Sequence, residues 1–321
     1  MLTAKCQMLI SKLSFLFPGQ GSQSVGMGRD LAAKYPVAQQ TFDEADAALG
    51  YKLSQLCFEG PEEKLKLTEI TQPAILTVSV AALRVLREKG IVPVFVAGHS
   101  LGEYSAHIAA GTLDFADAVR TVRNRGRYMQ EAVPVGEGAM AAILGMPGEE
   151  VQKICQEAAV NDVCSAANLN SPEQTVISGS KAAVERAVEL AKSRGAKKTV
   201  MLAVSAPFHC ALMQPAQDRL AADLQKLSFQ TMQLPLVKNI DAEPTTDSVN
   251  ARQALIHQVT GAVQWVNSMR KLMSLGVETF VEVGPGKVLC GLMRQIDRSK
   301  SCLNVEDEAS LQKTINALQQ S

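Results

Sequence analysis

The sequence predicts an α/β fold in which a mostly parallel sheet carries helices on both faces and a small second domain is inserted. Three observations lead to this prediction. A β-branched run that ends at Gly98 is followed at once by a helical pattern from Leu101. Residues 136–204 follow the order β-α-β-β-α-β, which is the ferredoxin-like pattern. The α/β alternation then resumes, as a parallel sheet requires.

The segment before the insert contains clear strand and helix patterns. The helix that follows Pro73 is apolar on nearly every side, so we expect it to be buried. Asp114 stands where it can cap the last helix of this segment. The predicted elements are strand Leu13–Phe17, helix Val37–Leu49, helix Ala74–Glu88, the strand that ends at Gly98, and helices Leu101–Ala110 and Ala116–Met129.

The insert spans residues 135–205, between Pro134 and Pro207, so that residues 1–134 and 206–321 form one discontinuous large domain. Its predicted elements are strand Ala139–Leu144, helix Glu149–Ala159, strands Cys164–Leu169 and Thr175–Ser178, helix Lys181–Arg194 and strand Lys198–Val204. The elements predicted after it are helix Leu212–Lys226, strand Leu234–Asn239, helices Val249–Thr260 and Val263–Leu275, strand Val277–Val283 and helices Val288–Gln295 and Ser310–Ala317.

The composition argues against several functional classes. Lys plus Arg and Asp plus Glu are equal at 32 each, which argues against bulk binding to nucleic acid or to an anionic membrane. No apolar run approaches the roughly 20 residues that span a bilayer, and the N-terminus lacks the apolar core of a signal peptide. Met8 is an alternative start, which would leave the first seven residues as a disordered tail. The seven scattered cysteines contain no C-x-x-C pair, so we expect reduced thiols in a cytoplasmic protein, neither zinc ligands nor a disulfide framework.

A glycine-rich loop follows the first strand, from Gly19 to Gly28. Its spacing excludes the two common nucleotide-binding loops. Ser24 stands where the third glycine of G-x-G-x-x-G is required, and Met27 follows Gly26 where a P-loop has lysine. Two interpretations stay open: a tight turn, or a loop whose backbone approaches a ligand closely.

Gly98-x-Ser100-x-Gly102 has the spacing of a nucleophile elbow between a strand and a helix. So tight a turn pushes the serine side chain out at its tip and requires small neighbours. The N-terminus of the helix places unpaired N–H groups and a positive dipole end beside the serine oxygen, where negative charge on an acyl carbonyl would be stabilised. The alternative is an ordinary strand–glycine–helix connection, since G-x-S-x-G also occurs by chance.

A serine nucleophile needs a base within hydrogen-bond reach, and the chain has four histidines. His99 adjoins Ser100 and should point the other way along the strand. His107 lies roughly 10 Å along the elbow helix, which is too far. His209 and His257 remain, and His209 has the better position because it lies in a loop at the domain boundary, whereas His257 lies within a predicted helix.

Several stretches of the sequence are characteristic in combination and in order. They are Phe17-Pro-Gly-Gln-Gly-Ser-Gln23, Thr71-Gln-Pro-Ala74, Gly98-His-Ser-Leu-Gly-Glu103, Arg125-Gly-x-x-Met-Gln130, Gly138-Ala-Met-Ala-Ala142, Asn168-x-Asn-Ser-Pro172, Pro207-x-His209, Gln258-x-x-x-x-Val-Gln-Trp265 and Glu282-Val-Gly-Pro-Gly286. With them the chain resembles the malonyl-CoA:acyl-carrier-protein transacylase family of bacterial fatty acid synthesis and is similar to the acyltransferase domains of polyketide synthases. The resemblance implies an α/β-hydrolase-like large domain with a ferredoxin-like insert.

The resemblance also implies a role for each candidate residue. Ser100 is the nucleophile and His209 the general base. The backbone N–H groups of Gln20 and Leu101 form the oxyanion hole. Arg125 binds the free carboxylate of the substrate, a task that suits a planar guanidinium because it can donate two parallel hydrogen bonds.

Three further residues receive roles from the same resemblance. Gln258 supports His209, the task that a hydrolase triad gives to an acid. Asn168 lies near the acyl or pantetheine arm, although an asparagine that caps a turn explains it equally well. Phe208 should crowd an α-methyl branch, which predicts a preference for malonyl over methylmalonyl groups.

The predicted activity is a ping-pong transfer in which malonyl-CoA acylates Ser100 and the phosphopantetheine thiol of acyl carrier protein then takes the malonyl group. No metal or cofactor is expected, and a monomer is the family default. Because such carriers are acidic, a basic patch should guide docking, and the candidates are Lys192, Arg194, Lys197 and Lys198. The alternatives are a serine thioesterase or hydrolase of the α/β-hydrolase type, a trans-acting acyltransferase of a polyketide pathway, and a non-catalytic module that binds acyl carrier protein.

Overall fold

The structure, a computed structural model, describes residues 12–204 and 206–320, so the alternative start at Met8 lies outside the described residues. The elements before the predicted insert are β1 (Leu13–Phe17), α1 (Arg29–Lys34), α2 (Pro36–Leu49), α3 (Leu53–Glu59), α4 (Glu62–Leu65), α5 (Thr68–Glu88), β2 (Phe95–Gly98), α6 (Gly102–Ala109) and α7 (Phe115–Glu131). Those of the predicted insert are β3 (Gly138–Leu144), α8 (Gly148–Ala159), β4 (Cys164–Ser171), β5 (Gln174–Ser180), α9 (Lys181–Ser193) and β6 (Lys198–Met201). After it come a 3₁₀ turn (Ala211–Met213), α10 (Gln214–Lys226), β7 (Leu236–Val237), β8 (Pro244–Thr245), α11 (Ser248–His257), α12 (Trp265–Ser274), β9 (Thr279–Val283), α13 (Val288–Ile296), β10 (Ser301–Val305) and α14 (Glu308–Gln320).

The larger of the two sheets has six strands in the order β10-β9-β1-β2-β7-β8. All neighbouring strands are parallel except β7 and β8, so the prediction of a mixed α/β fold with a mostly parallel sheet is confirmed. In the register of β1 and β2, Phe17 pairs with Gly98. The loops that follow these two strands therefore leave the sheet side by side, at its carboxyl edge.

Both faces of the central strands of this sheet are covered, and most residues of β1 and β2 are apolar for that reason. Along β1 every residue is buried. Phe15 and Phe17 join the larger core with helix α5, whereas Leu16 faces the opposite core, which contains Trp265 and Phe280. Helices therefore hold the sheet from both sides and keep the ends of β1 and β2 in place.

The second sheet is antiparallel, with strand order β4-β5-β3-β6. Successive residues of β3 face opposite sides. Ala141 and Ile143 pack under helices α8 and α9, whereas Met140 and Ala142 belong to the large core. One face of this sheet therefore covers the carboxyl edge of the larger sheet.

Helix α5 begins at Thr68, earlier than the predicted start after Pro73, and contains the proline in its interior. Tertiary packing explains the extra turn, because a Cβ on Gly126 of α7 would lie 2.6 Å from the carbonyl oxygen of Thr68. Packing this close stabilises a turn that the proline alone would disfavour. The turn also carries Gln72 toward the centre of the molecule, where it is buried.

The same helix corrects the expectation that no apolar run approaches membrane-spanning length. Within the described residues, Thr68–Glu88 is long and apolar enough to cross a bilayer by length and composition, and 83% of its most apolar window is buried inside the protein. A core helix of a soluble protein passes the same test. Its apolar character is accounted for here by burial between α2, α7 and the sheet.

The cysteine prediction was wrong for one pair. Cys290 on α13 and Cys302 on β10 form a disulfide, with Cα atoms 5.3 Å apart. The sequence pattern did not predict β10, and it is the return of this strand beside α13 that brings the two thiols together. Cys57, Cys155, Cys164 and Cys210 are free and buried.

Candidate active site

The turn between β2 and α6 carries Ser100 at its tip, with a φ of 51° in the left-handed region that L side chains rarely adopt. A Cβ on Gly98 would lie 2.0 Å from the carbonyl group of Gly102, and a Cβ on Gly102 would lie 2.0 Å from the carbonyl oxygen of Phe17. Both positions therefore accept only glycine. This is the strand–turn–helix geometry that the G-x-S-x-G spacing predicts, and it exposes the serine hydroxyl to a cavity.

Ser100 Oγ lies 2.7 Å from Nε2 of His209, which comes from the loop between β6 and the 3₁₀ turn. The other ring nitrogen, Nδ1, lies 2.9 Å from the carbonyl oxygen of Gln258 and 3.1 Å from that of Gly261. Because carbonyl oxygens only accept, Nδ1 carries the proton and Nε2 is free to accept one from the serine. Burial, together with the positive charge of Arg125, lowers the pKa of His209 to about 3 and keeps the imidazole neutral.

The other three histidines do not reach the serine hydroxyl. His99 turns its Nε2 to the side-chain oxygen of Asn170, 2.8 Å away. His107 is buried against Thr112, and His257 is exposed on α11 beside Gln253. Of the two candidates left open by the sequence, the structure brings only His209 to Ser100.

Arg125 is 1% exposed, so it is not one of the solvated arginines of its helix. Its guanidinium donates to Ser100 Oγ (3.1 Å), to the side-chain oxygen of Gln258 (3.0 Å) and to that of Gln72 (2.8 Å). Within residues 12–204 and 206–320 it forms no salt bridge, and its Nε has no partner. A buried cation held by neutral amides beside the serine hydroxyl is well suited to bind an incoming carboxylate.

Two residues with no role predicted from the sequence lie beneath the elbow. Asn239 accepts a hydrogen bond from the N–H of Ser100 (2.7 Å) and donates one to the carbonyl of Gly98 (2.6 Å). Glu103 is fully buried and accepts from the Asn239 backbone N–H (3.1 Å) and from the Gln258 amide (2.7 Å). Burial raises the pKa of Glu103 to about 7. The sequence signal for Glu103 is an acidic residue within a helix of mostly small and apolar residues. A carboxylate on such a buried helix needs polar partners, because carboxylates are rarely buried unpaired.

Gln20 and Leu101 both line the same cavity. Neither N–H donates to a protein acceptor among the described residues. The loop that holds Gln20 packs tightly on the elbow, because a Cβ on Gly19 would lie 2.5 Å from the carbonyl oxygen of His99. Of the two interpretations of this glycine loop, close approach of its backbone to a ligand is the one that fits its place at the cavity.

The cavity has a volume of about 120 Å³. Phe208 forms part of its wall and is 9% exposed. Asn168 on β4 also lines it, and its side-chain oxygen is buried without a hydrogen-bond partner among the described residues. The remaining lining residues are Gln72, His99, Met129, Met140, Leu202 and Val204. Leu202 and Val204 reach the cavity because β6 ends at Met201, before the predicted Val204.

The predicted basic patch lies at the end of α9 and the start of β6, and most of its charge is already paired. Lys192 pairs with Glu189 (2.7 Å), Arg194 with Glu157, and Lys197 with Glu173 (3.0 Å). Lys198 forms no salt bridge with another described residue. The net positive potential of this turn is therefore smaller than the sequence suggests.

Comparison with known proteins shows a similarity that extends over both sheets. The family model for the acyl transferase domain matches residues 14–319. The malonyl CoA-acyl carrier protein transacylase of Escherichia coli K12 is 52% identical over 288 residues, which cover 89% of this chain and 93% of that protein. The crystal structure of an acyl carrier protein S-malonyltransferase from Vibrio cholerae aligns with a TM-score of 0.93 at 48% identity, covering 95% of this chain and all of that one. A malonyl-transacylase in complex with its type II PKS acyl-carrier protein aligns with a TM-score of 0.93 at 47% identity, covering 97% and 100%.

Proposed function

The chain belongs to the acyl transferase domain family, and from this premise we propose that it transfers the malonyl group of malonyl-CoA to the phosphopantetheine thiol of acyl carrier protein. The enzyme is an acyltransferase, and the malonyl group supplies extender units for fatty acid synthesis. One observation carries the proposal: a serine hydroxyl in contact with both a neutral imidazole (2.7 Å) and a buried guanidinium (3.1 Å).

In the first half-reaction we assign Ser100 as the nucleophile and His209 as the general base. Nε2 of His209 takes the hydroxyl proton while Oγ attacks the thioester carbonyl, and the bond from carbon to sulfur then breaks. His209 returns the proton to the leaving thiolate, which departs as CoA. Such a base contributes about 10²–10⁴ in rate.

The oxyanion of the tetrahedral intermediate is assigned to the backbone N–H groups of Gln20 and Leu101. The assignment is supported by their place at the cavity and by the lack of an acceptor for either N–H within the described residues. Donors held ready in this way stabilise charge that appears only in the transition state, and one such donor is worth about 10²–10³ in rate.

The second half-reaction runs the same steps in reverse with a different thiol. His209 takes the proton of the phosphopantetheine thiol, and the thiolate attacks the acyl carbonyl. Ser100 Oγ leaves and recovers the proton. One pocket thus serves two thiol partners in turn, which is a ping-pong mechanism.

Arg125 is proposed to bind the malonyl carboxylate. Its Nη1 is held by Gln72 and its Nη2 by Gln258, so the guanidinium is fixed before substrate arrives. A rigid fork loses little conformational freedom on binding. The free acid of the substrate would then orient the thioester carbonyl toward Ser100.

The support for His209 comes from the backbone carbonyl of Gln258, which accepts the Nδ1 proton, and the side chain of Gln258 is left to hold Arg125. Within the described residues no carboxylate hydrogen-bonds to His209. This arrangement does not support the thioesterase or hydrolase alternative, for which a triad acid was left open. A trans-acting role in a polyketide pathway differs only in the carrier served.

Two residues are proposed to shape acyl selectivity. Phe208 stands next to the base in the cavity wall and would crowd an α-methyl branch. Asn168 offers a buried side-chain oxygen without a described partner, which could accept a hydrogen bond from an amide of the pantetheine arm.

At the level of the fold we propose an α/β-hydrolase-like large domain (1–134 and 206–321) and a ferredoxin-like insert (135–205). The strand order β4-β5-β3-β6, with α8 and α9 packed on one face, supports the second assignment. We further expect a cytoplasmic monomer that needs no metal or cofactor, and no nucleic acid or membrane as partner. Activity in the presence of a strong chelator and the mass of the protein in solution test these expectations.

Intact-mass spectrometry tests the proposed function directly. Adding malonyl-CoA should increase the protein mass by one malonyl group, and adding holo acyl carrier protein should return it to the starting value while the carrier gains the group. Ser100→Ala should show neither change. Rapid loss of the group to water in the absence of carrier would favour a thioesterase, and the absence of any acyl-enzyme would refute the proposal.

A further inference from the structure

Beneath the elbow lies a buried carboxyl group that the reaction as proposed does not use. Glu103 is fully buried and does not line the catalytic cavity. One of its oxygens, Oε2, accepts hydrogen bonds from the backbone N–H of Asn239 (3.1 Å) and from the side-chain amide of Gln258 (2.7 Å). Its contacts therefore lead to two residues from the part of the chain that follows the insert.

Each of these two residues holds one polar backbone group of Ser100. The side-chain oxygen of Asn239 accepts from the Ser100 N–H (2.7 Å), and the side-chain nitrogen of Gln258 donates to the Ser100 carbonyl (2.9 Å). Asn239 also binds the carbonyl of Gly98, at the start of the turn (2.6 Å). A residue in the left-handed region persists only where its surroundings fix it, and these side chains supply that restraint.

Glu103 also determines which way the Gln258 amide points. With both amide hydrogens directed at Glu103 and the Ser100 carbonyl, the amide oxygen is left to accept from Arg125 (3.0 Å). A flipped amide would place its oxygen against two acceptors and its nitrogen against a guanidinium, which only donates. The orientation of the amide is thus coupled to the position of Arg125.

We propose that Glu103 is a positioning residue for acyl transfer: through Asn239 and Gln258 it holds Ser100 in its strained conformation and directs the Gln258 oxygen at Arg125. We call these three residues the Glu103 brace. The inference rests on the proposed function, in which Ser100 is the nucleophile. The brace touches no substrate, so its effect is exerted on the geometry of the groups that do.

The test compares two substitutions at one position. Glu103→Leu removes the acceptor oxygens, whereas Glu103→Gln keeps an oxygen that can accept from both partners. The rate constant for acylation of Ser100 at saturating malonyl-CoA, measured by rapid quench and intact mass per folded protein, should fall roughly 30- to 100-fold in Glu103→Leu. It should stay close to the wild-type value in Glu103→Gln.

Glu282 offers a matched control for the general cost of a buried carboxyl group. It is also fully buried and accepts from two backbone N–H groups, those of Leu289 (3.0 Å) and Cys290 (2.8 Å), but it does not line the cavity. Glu282→Leu should lower the melting temperature without lowering the acylation rate of the protein that remains folded. The dissociation constant for malonyl-CoA, measured by calorimetry in a Ser100→Ala background, should change less than the rate in Glu103→Leu, because Gln72 still holds Arg125.

Each outcome of these measurements either supports or overturns the role proposed for Glu103. Wild-type acylation in folded Glu103→Leu overturns it, and so does a Glu103→Gln variant as slow as Glu103→Leu. Where Glu103→Leu does not fold, Asn239→Ala breaks the link between Glu103 and the Ser100 N–H. The acylation rate should then fall by a similar factor, and an unchanged rate overturns the brace. Failure of the wild-type protein to form an acyl-serine would refute the proposed function instead, and the two failures are distinguishable.

Discussion

Replacing Arg125 by alanine removes the charged group that we assign to the malonyl carboxylate. The structure limits the effect to the pocket, because Arg125 is buried and is held by Gln72 and Gln258 without a salt bridge to another described residue. The substitution therefore breaks no ion pair within the described part of the chain. What it removes is the attraction for an anionic substrate.

The magnitude follows from the hydrogen bonds lost in the complex. A hydrogen bond to a charged group is worth about 1.5–3 kcal/mol, and about 1.4 kcal/mol corresponds to a factor of ten. Arg125 also donates to Ser100 Oγ (3.1 Å), so part of the loss in rate will be common to every acyl group. The diagnostic quantity is therefore a ratio: kcat/KM for malonyl-CoA relative to acetyl-CoA should fall by roughly 10- to 150-fold.

The assay measures acylation by both thioesters in the wild-type protein, Arg125→Ala and a matched control. Arg120 lies on the same helix, half-exposed and paired with Asp117, so Arg120→Ala should leave both rates and their ratio unchanged. An equal loss with malonyl-CoA and acetyl-CoA in Arg125→Ala would refute the assignment of Arg125 to the carboxylate.

Three further predictions follow from the site. In single-turnover acylation, the fall in rate at low pH should lie at higher pH with malonyl-CoA than with acetyl-CoA. Burial and the charge of Arg125 lower the pKa of His209. The negative charge of a bound malonyl carboxylate offsets the effect of Arg125 and so raises this pKa. With malonyl-CoA bound, His209 is therefore protonated, and unable to act as a base, at a higher pH. Superimposable pH profiles of the acylation rate for the two thioesters would contradict this reasoning. Phe208→Ser should lower the preference for malonyl-CoA over methylmalonyl-CoA, measured as a ratio of kcat/KM values, and an unchanged ratio would exclude crowding by the ring. Lys198→Glu should raise KM for acyl carrier protein at low salt and leave the rate with malonyl-CoA alone unchanged. A KM for acyl carrier protein that depends on neither salt nor this charge would exclude the predicted basic patch as a docking site.

The parts of the fold that local pattern determines were predictable. The alternation of strands and helices indicated the mostly parallel sheet, because strands buried on both faces read as continuous apolar runs. Ser100 could be found because G-x-S-x-G is a local pattern, and because a Cβ on Gly98 would meet the carbonyl group of Gly102 only a turn later in the chain. His209 could be selected because histidines are few in this chain.

The parts that depend on tertiary contacts were not predictable. The early start of α5 depends on Gly126 of another helix, and the pairing of Cys290 with Cys302 depends on a strand that the pattern did not show. The sequence pattern predicts Asn239 only as the end of a strand. Nothing local to it indicates that its side chain binds the N–H of Ser100, far earlier in the chain. Such contacts follow from how the elements pack, and periodicity carries no information about them.

The electrostatics of the pocket explain why a carbonyl group, and not an acid, supports the imidazole that we assign as the general base. A carboxylate at Nδ1 of His209, in place of the Gln258 carbonyl, would add a negative charge to the site that contains the Arg125 cation. Its charge would partly offset that of the guanidinium and so weaken the attraction for the carboxylate of the substrate. The carbonyl oxygens of Gln258 and Gly261 fix the same tautomer without adding charge. In the proposed reaction malonyl-CoA itself brings the counter-charge, so that one interaction both selects the substrate and makes His209 a stronger base. An acetyl group brings no such charge and leaves the buried cation to oppose the protonation of His209 on which the proposed attack by Ser100 depends.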